Sequence, residues 1–141
     1  MFKAIIILIE MYFLHIFADY HLQGILANMK QRDWWKKKFV NVSEFNQSKY
    51  TNDYTAALMS HSFEWTFIMM IPVMHYVNYN DYIYWHVILY MILFILNLGM
   101  HYVVDDMKAN GKRINLIQDQ QLHMVQINLT WLIWYIFTGW I

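Results

Sequence analysis

Phe13-Leu14-His15-Ile16-Phe17-Ala18-Asp19-Tyr20-His21-Leu22-Gln23 closes the first apolar run of the chain and sets an imidazole and a carboxylate four residues apart. On a helix, four residues advance about 6 Å and turn about 400°, so His15 and Asp19 share one face. The spacing recurs in His101-Tyr102-Val103-Val104-Asp105 and, reversed, in Asp119-Gln120-Gln121-Leu122-His123. Seven His and seven Asp scattered at random over 141 residues would give roughly 0.7 such pairs, and three occur. Apolar helices that each end in a His–Asp face predict an all-α bundle in which these pairs converge.

Composition agrees with long, greasy helices. Of the 141 residues, 59% are hydrophobic, 19% aromatic and only 14% charged, which is too apolar for an ordinary soluble domain. Formal net charge is zero, so specific nucleic-acid binding is not expected. The lack of cysteine excludes disulfides and thiolate metal ligands and leaves His, Asp and Glu. One proline and four glycines disfavour a turn-rich β fold.

Read in order, the chain predicts a single integral membrane domain, 1–141, with four transmembrane helices at about 4–20, 55–77, 82–104 and 119–140. The first is short for a span. Lys3 and the apolar run behind it resemble a signal peptide, but no convincing small-residue cleavage site follows. Residues 21–54 form a polar, basic connection in which Trp34 and Trp35 adjoin Lys36, Lys37 and Lys38, a mixture suited to the lipid headgroup level or to a solvated loop. Pro72 removes one backbone donor from the second span and is expected to kink it. The 78–81 turn is short, and Asn110-Gly111 turns the 105–118 connection.

With four spans, the 21–54 and 105–118 connections share one side and hold nine of the ten Lys and Arg residues. The positive-inside rule then places both connections in the cytoplasm and both termini outside, and a cytoplasmic loop makes the Asn41-Val42-Ser43 glycosylation sequon meaningless. His15, Asp19, His61, His101, Asp105, Asp119 and His123 all fall at the cytoplasmic ends of their helices. Ionisable groups inside a bilayer face the bundle interior and carry partners or function. Three aspartates brought together would repel unless a positive species intervened, and a divalent metal is the economical answer: zinc, manganese or magnesium, as one ion or as two sharing a carboxylate.

These seven residues are therefore the candidate metal ligands, and Glu64 and Asp105 the candidate catalytic carboxylates. Glu64 follows His61 by three residues and fits a general base, a bracing partner or a protonated, hydrogen-bonded carboxyl. Gln23 and Gln120 are placed to donate to Asp19 and Asp119, or to be plain interfacial polar residues, and Asn97 to brace His101 from one turn away. Glu10, about 140° around the helix from His15, is excluded. His75 and His86 lie at the other end and read as core histidines, as does His21 at the start of a loop. The Met and Trp residues read as lipid-facing or core.

The order His15…Asp19…Gln23, Trp34-Trp35-Lys36, His61, His101…Asp105 and Asp119-Gln120…His123 resembles the small membrane proteins of domain-of-unknown-function family 3307, found in bacteria and bacteriophages. The likeness covers nearly the whole chain. The Ile, Lys, Asn and Tyr bias fits a low-GC genome such as a phage's. The final span departs from the family by ending at Ile141 without a tail. That family is distantly similar to membrane-bound metal-dependent hydrolases, so the resemblance implies hydrolysis without supplying a substrate.

The expected function is metal-dependent hydrolysis of a phosphoester or lipid-like substrate at the cytoplasmic face of a bacterial or host inner membrane. The basic connection would attract anionic lipid or nucleotide, and an oligomer is compatible with this arrangement. The alternatives are a non-enzymatic phage or bacterial accessory protein held together by its His/Asp cluster, then an ion or proton transporter, then a soluble helical bundle with a buried metal site.

Overall fold

The structure, a computed structural model, describes residues 2–40, 50–75 and 83–138. The 78–81 turn, the 41–43 sequon and the last three residues lie outside the described residues. Six α-helices occur in order: α1 (Phe2–Phe17), α2 (Leu26–Met29), α3 (Arg32–Lys38), α4 (Asp53–His75), α5 (Ile83–Ala109) and α6 (Leu116–Phe137). α1 runs on through a π-helical turn, Ala18–Leu22, and stops at Gly24, whose φ of +48° suits a residue without Cβ. α6 opens on a capping box, in which Asn115 Oδ1 accepts from the Gln118 amide (2.9 Å) and Gln118 Oε1 accepts from the Asn115 amide (3.0 Å).

The four long helices form a closed square. α1 packs against α4 and α6, and α5 packs against the same two. Chain direction alternates around the square, so the C-terminal ends of α1 and α5 meet the N-terminal ends of α4 and α6. The apolar core fills the opposite part of the bundle with Ile7, Met11, Met69, Val73, Leu93 and Ile127. A polar layer caps it: Asn97 Nδ2 donates to Thr130 Oγ1 (2.8 Å), and Gln126 Nε2 donates to Asn97 Oδ1 (2.9 Å).

Three expectations are corrected. The 21–54 connection is not simply a loop, because its ordered part winds into α2 and α3 and packs on α4. The third helix runs to Ala109, so Asp105 lies within it rather than beyond it. Among the described residues one helix, over Tyr84–Ala109, is long and apolar enough to cross a membrane, where four spans were expected. α1, with 16 residues, is too short before its π turn. α4 and α6 are diluted by polar side chains that point inward, among them His61, Ser62 and Thr66, and Asp119, Gln126 and Thr130. α4 continues through the buried Pro72 to His75.

Candidate metal centre

The seven predicted ligands meet at one end of the square, one or two from each long helix. His15, His61, His101, Asp105, Asp119 and His123 are each 2% exposed or less. Asp19 sits at the rim with its side chain 5% exposed. Helical spacing explains the convergence: each i, i+4 pair projects inward from one helix end, and the alternating chain direction brings those ends to one level.

Two groups of ligand atoms are close enough to share an ion: Asp19, His61 and His101, and His101, Asp105 and His123. His61 Nε2 lies 3.4 Å from Asp19 Oδ1, 3.4 Å from Asp105 Oδ2 and 3.2 Å from His101 Nε2. His101 Nε2 is 3.8 Å from the same Asp105 oxygen. Ligand bonds of 2.0–2.2 Å in a tetrahedral zinc site imply edges of about 3.3–3.6 Å, so these four atoms lie close to a tetrahedral frame. On the other side, His123 Nε2 is 3.3 Å from Asp105 Oδ1 and 3.5 Å from Asp119 Oδ1. Asp105 thus turns one oxygen to each group, as a bridging carboxylate does. Asp119 Oδ1 is buried with no hydrogen-bond donor, which leaves an acceptor open toward this second group.

Two cations enter the centre that the sequence did not lead us to expect. Lys30 Nζ donates to Asp105 Oδ2 at 2.5 Å, and Lys108 Nζ donates to Asp119 Oδ2 at 2.5 Å. Lys30 reaches in from the end of α2 and is itself buried. Its backbone is clamped by Asn110, which donates to the Lys30 carbonyl (3.1 Å) and accepts from the Arg32 amide (2.7 Å). Lys108 had a signal, its i+3 spacing from Asp105 on one helix face. Lys30 had none, because spacing within a connection carries no facial information.

His15 is bound differently from the other histidines. An indole N–H only donates, and Trp65 Nε1 lies 2.8 Å from His15 Nδ1, so that nitrogen carries the lone pair. Nε2 then bears the proton and donates to Gln120 Oε1 (3.1 Å). The Gln120 amide turns its nitrogen to Asp19 Oδ2 and Asp119 Oδ2, each at 3.1 Å. With both nitrogens committed, His15 braces the centre rather than ligating. Gln23 donates to Asp19 Oδ1 (3.2 Å), so both glutamines do take up their carboxylates. Trp65, expected in the core, also stacks on His101 with centroids 4.1 Å apart, and His101 stacks on His123 at 4.3 Å. Trp65 follows His61 by four residues, a spacing that carried this information. The Nδ1 atoms of His101 and His123 are buried without partners, so this packing orients those rings.

Other candidates stand apart. Glu64 is half-buried and makes no hydrogen bond or ion pair with a described residue. Asn97 bonds Thr130 and the Leu93 carbonyl, not His101 as expected, because its amide points into the polar layer. Glu10 and His75 line a groove at the far end of the bundle. His86 is buried there beside Trp134, with its Nδ1 unpartnered. His21 is exposed and stacks on Phe17.

A vestibule of about 350 Å³ opens over the centre, and Asp19, Lys30, Lys108, Lys112, Gln23 and Gln120 line it. It is the route by which solvent reaches Asp19. No family model, curated protein or solved structure matches this chain.

Proposed function

We propose that the protein is a membrane-embedded metal-binding protein that hydrolyses a phosphoester or lipid-like substrate at the cytoplasmic face. The observation that carries this is the frame of His61, His101, Asp19 and Asp105 atoms at tetrahedral spacing, with the second oxygen of Asp105 turned to His123. Donors of this kind, nitrogen and oxygen without sulfur, suit zinc or manganese. A divalent ion so held would supply Lewis acidity at a phosphoryl oxygen and acidify water for attack. The protein's own groups do the rest. Asp19 faces both vestibule and centre and is the first carboxylate an entering substrate meets. Lys30, Lys108 and Lys112 give that entrance a positive lining suited to phosphate. Glu64 has no contact that would serve as general base.

The membrane setting is supported by the outward faces of all four long helices, where Phe13, Phe63, Phe67, Ile95, Val125 and Leu132 are exposed, and by the span-length α5. The topology with basic connections in the cytoplasm, and a bacterial or phage origin akin to family 3307, belong to the same proposal.

Metal analysis of detergent-purified protein tests it. We expect one or two equivalents of zinc or manganese, and phosphoesterase activity that Asp105→Asn abolishes. A metal-free protein whose melting temperature does not move with added zinc or manganese would overturn the site.

One observation favours a second reading, a non-enzymatic protein whose cluster holds the helices together: Lys30 and Lys108 already pair with two of the three aspartates. Transport is disfavoured, because the apolar layer of Met69, Met70, Leu89, Leu93 and Ile127 interrupts any polar file.

A further inference from the structure

The lysines bear on the metal site itself. Three carboxylates, Asp19, Asp105 and Asp119, face two ammonium groups at contact distance, Lys30 and Lys108. With the histidines neutral, the centre holds one net negative charge. Adding a divalent ion to that arrangement leaves one net positive charge in a buried site. Exchanging the ion for one lysine leaves none. The atoms compete for the same position as well. Asp105 Oδ2, which Lys30 holds, is also an oxygen of the tetrahedral frame around His61 and His101. Asp119 Oδ2 is held by Lys108, while Oδ1 stays unpartnered toward His123.

Both lysines already border the vestibule, and Lys112 lies beside them. A displaced side chain therefore needs only to rotate outward to enter it. Three ammonium groups around a space of about 350 Å³ suit a phosphate group, which offers several acceptor oxygens and takes ammonium as point charges.

We propose that Lys30 and Lys108 are resident counter-cations of the centre, which a bound divalent metal displaces into the vestibule, where with Lys112 they hold the phosphate of the substrate. This rests on the metal-site reading above and adds a coupling: metal and phosphate each strengthen the other's binding, because both draw the lysines the same way.

The test is zinc titration of the purified full chain, then titration of inorganic phosphate with and without saturating zinc. Lys30→Met removes the competing cation and should tighten zinc about tenfold, the low end of what one charge in contact does to a neighbouring ionic equilibrium. Lys108→Met should shift zinc the same way, and Lys30→Arg, which keeps the charge, should not. Zinc should raise phosphate affinity about fivefold or more in the wild type, and much less in the Lys30→Met, Lys108→Met double variant. Lys108→Met stands in if Lys30→Met does not fold.

If the wild type binds zinc and neither methionine variant binds it more tightly, displacement is overturned and the metal site stands. If only the variants bind zinc, the lysines are confirmed as resident cations and the metalloenzyme is overturned. If none binds zinc, both fall. Phosphate affinity unchanged in the double variant overturns the vestibule half. Nanodiscs with and without phosphatidic acid separate the two sources of phosphate: zinc-dependent competition by that lipid marks a headgroup, and its absence a soluble ester.

Discussion

Lys30 Nζ lies 2.5 Å from Asp105 Oδ2, although 75 residues separate the two in the chain. Their side chains are 8% and 2% exposed, so neither charge has much water to fall back on. A buried pair of this kind gives little net stability while both partners are present, but breaking it is expensive because one charge is stranded. Asp105→Asn should therefore destabilise the fold by about 3–5 kcal/mol and weaken zinc binding by well over tenfold. Chemical denaturation and zinc titration of the variant would check this. An unchanged denaturation midpoint would mean that the pair does not carry the ends of α2 and α5.

Trp65→Phe keeps an aromatic ring against His101 but removes the only donor to His15 Nδ1. His15 is then free to exchange tautomers, and Gln120 loses the reason for its orientation toward Asp19 and Asp119. We expect a loss of about 1–3 kcal/mol in stability and about tenfold in metal affinity. Nitrogen-15 spectra of the histidine rings would show the tautomer change directly. A fixed His15 signal in the variant would show that the indole does not set the proton.

Asn97→Ala should separate stability from chemistry. Its amide joins Thr130 and Gln126 across α5 and α6, below the centre and without a bond to any histidine. Removing it strands buried partners at about 1–3 kcal/mol, while zinc affinity stays within about threefold of the wild type. A large fall in zinc affinity with little loss of stability would show that Asn97 braces His101 after all.

Glu64→Gln should leave zinc binding and phosphoester hydrolysis at wild-type levels, because Glu64 has no polar contact with the centre. Stability should change by no more than about 0.5 kcal/mol. A fall in turnover with zinc affinity preserved would restore Glu64 as a general base.

The helices and the meeting of His and Asp were legible because both follow from one period. An i, i+4 pair defines a face, and alternating chain direction puts four such faces at one level. His15 was legible as a member of the centre but not as a brace, since spacing does not say which partner claims each ring nitrogen. Trp65 shared His61's face, and was missed because an indole in an apolar helix reads as packing. Lys30 was out of reach. Its place depends on Asn110, eighty residues away, holding the backbone on either side of it. The four expected spans reduce to one by length and hydropathy because α4 and α6 turn their polar side chains inward, and a mean over a window cannot tell an inward Thr66 or Gln126 from an outward one.

The π-helical turn at Ala18–Leu22 has a consequence for how the chain tolerates change. Its i, i+5 winding holds one residue more than an α turn, and Asp19 sits inside it with Gln23 just beyond, reaching back to the Asp19 carboxylate. Removing any one residue there lets the segment relax to an ordinary α-helix and rotates everything after it by about 100°. Gln23 then swings off Asp19, and the approach of α2 that delivers Lys30 is re-aimed. The segment is therefore a spacer whose length matters more than its lettering: Tyr20, His21 and Leu22 are open to replacement, but not to deletion.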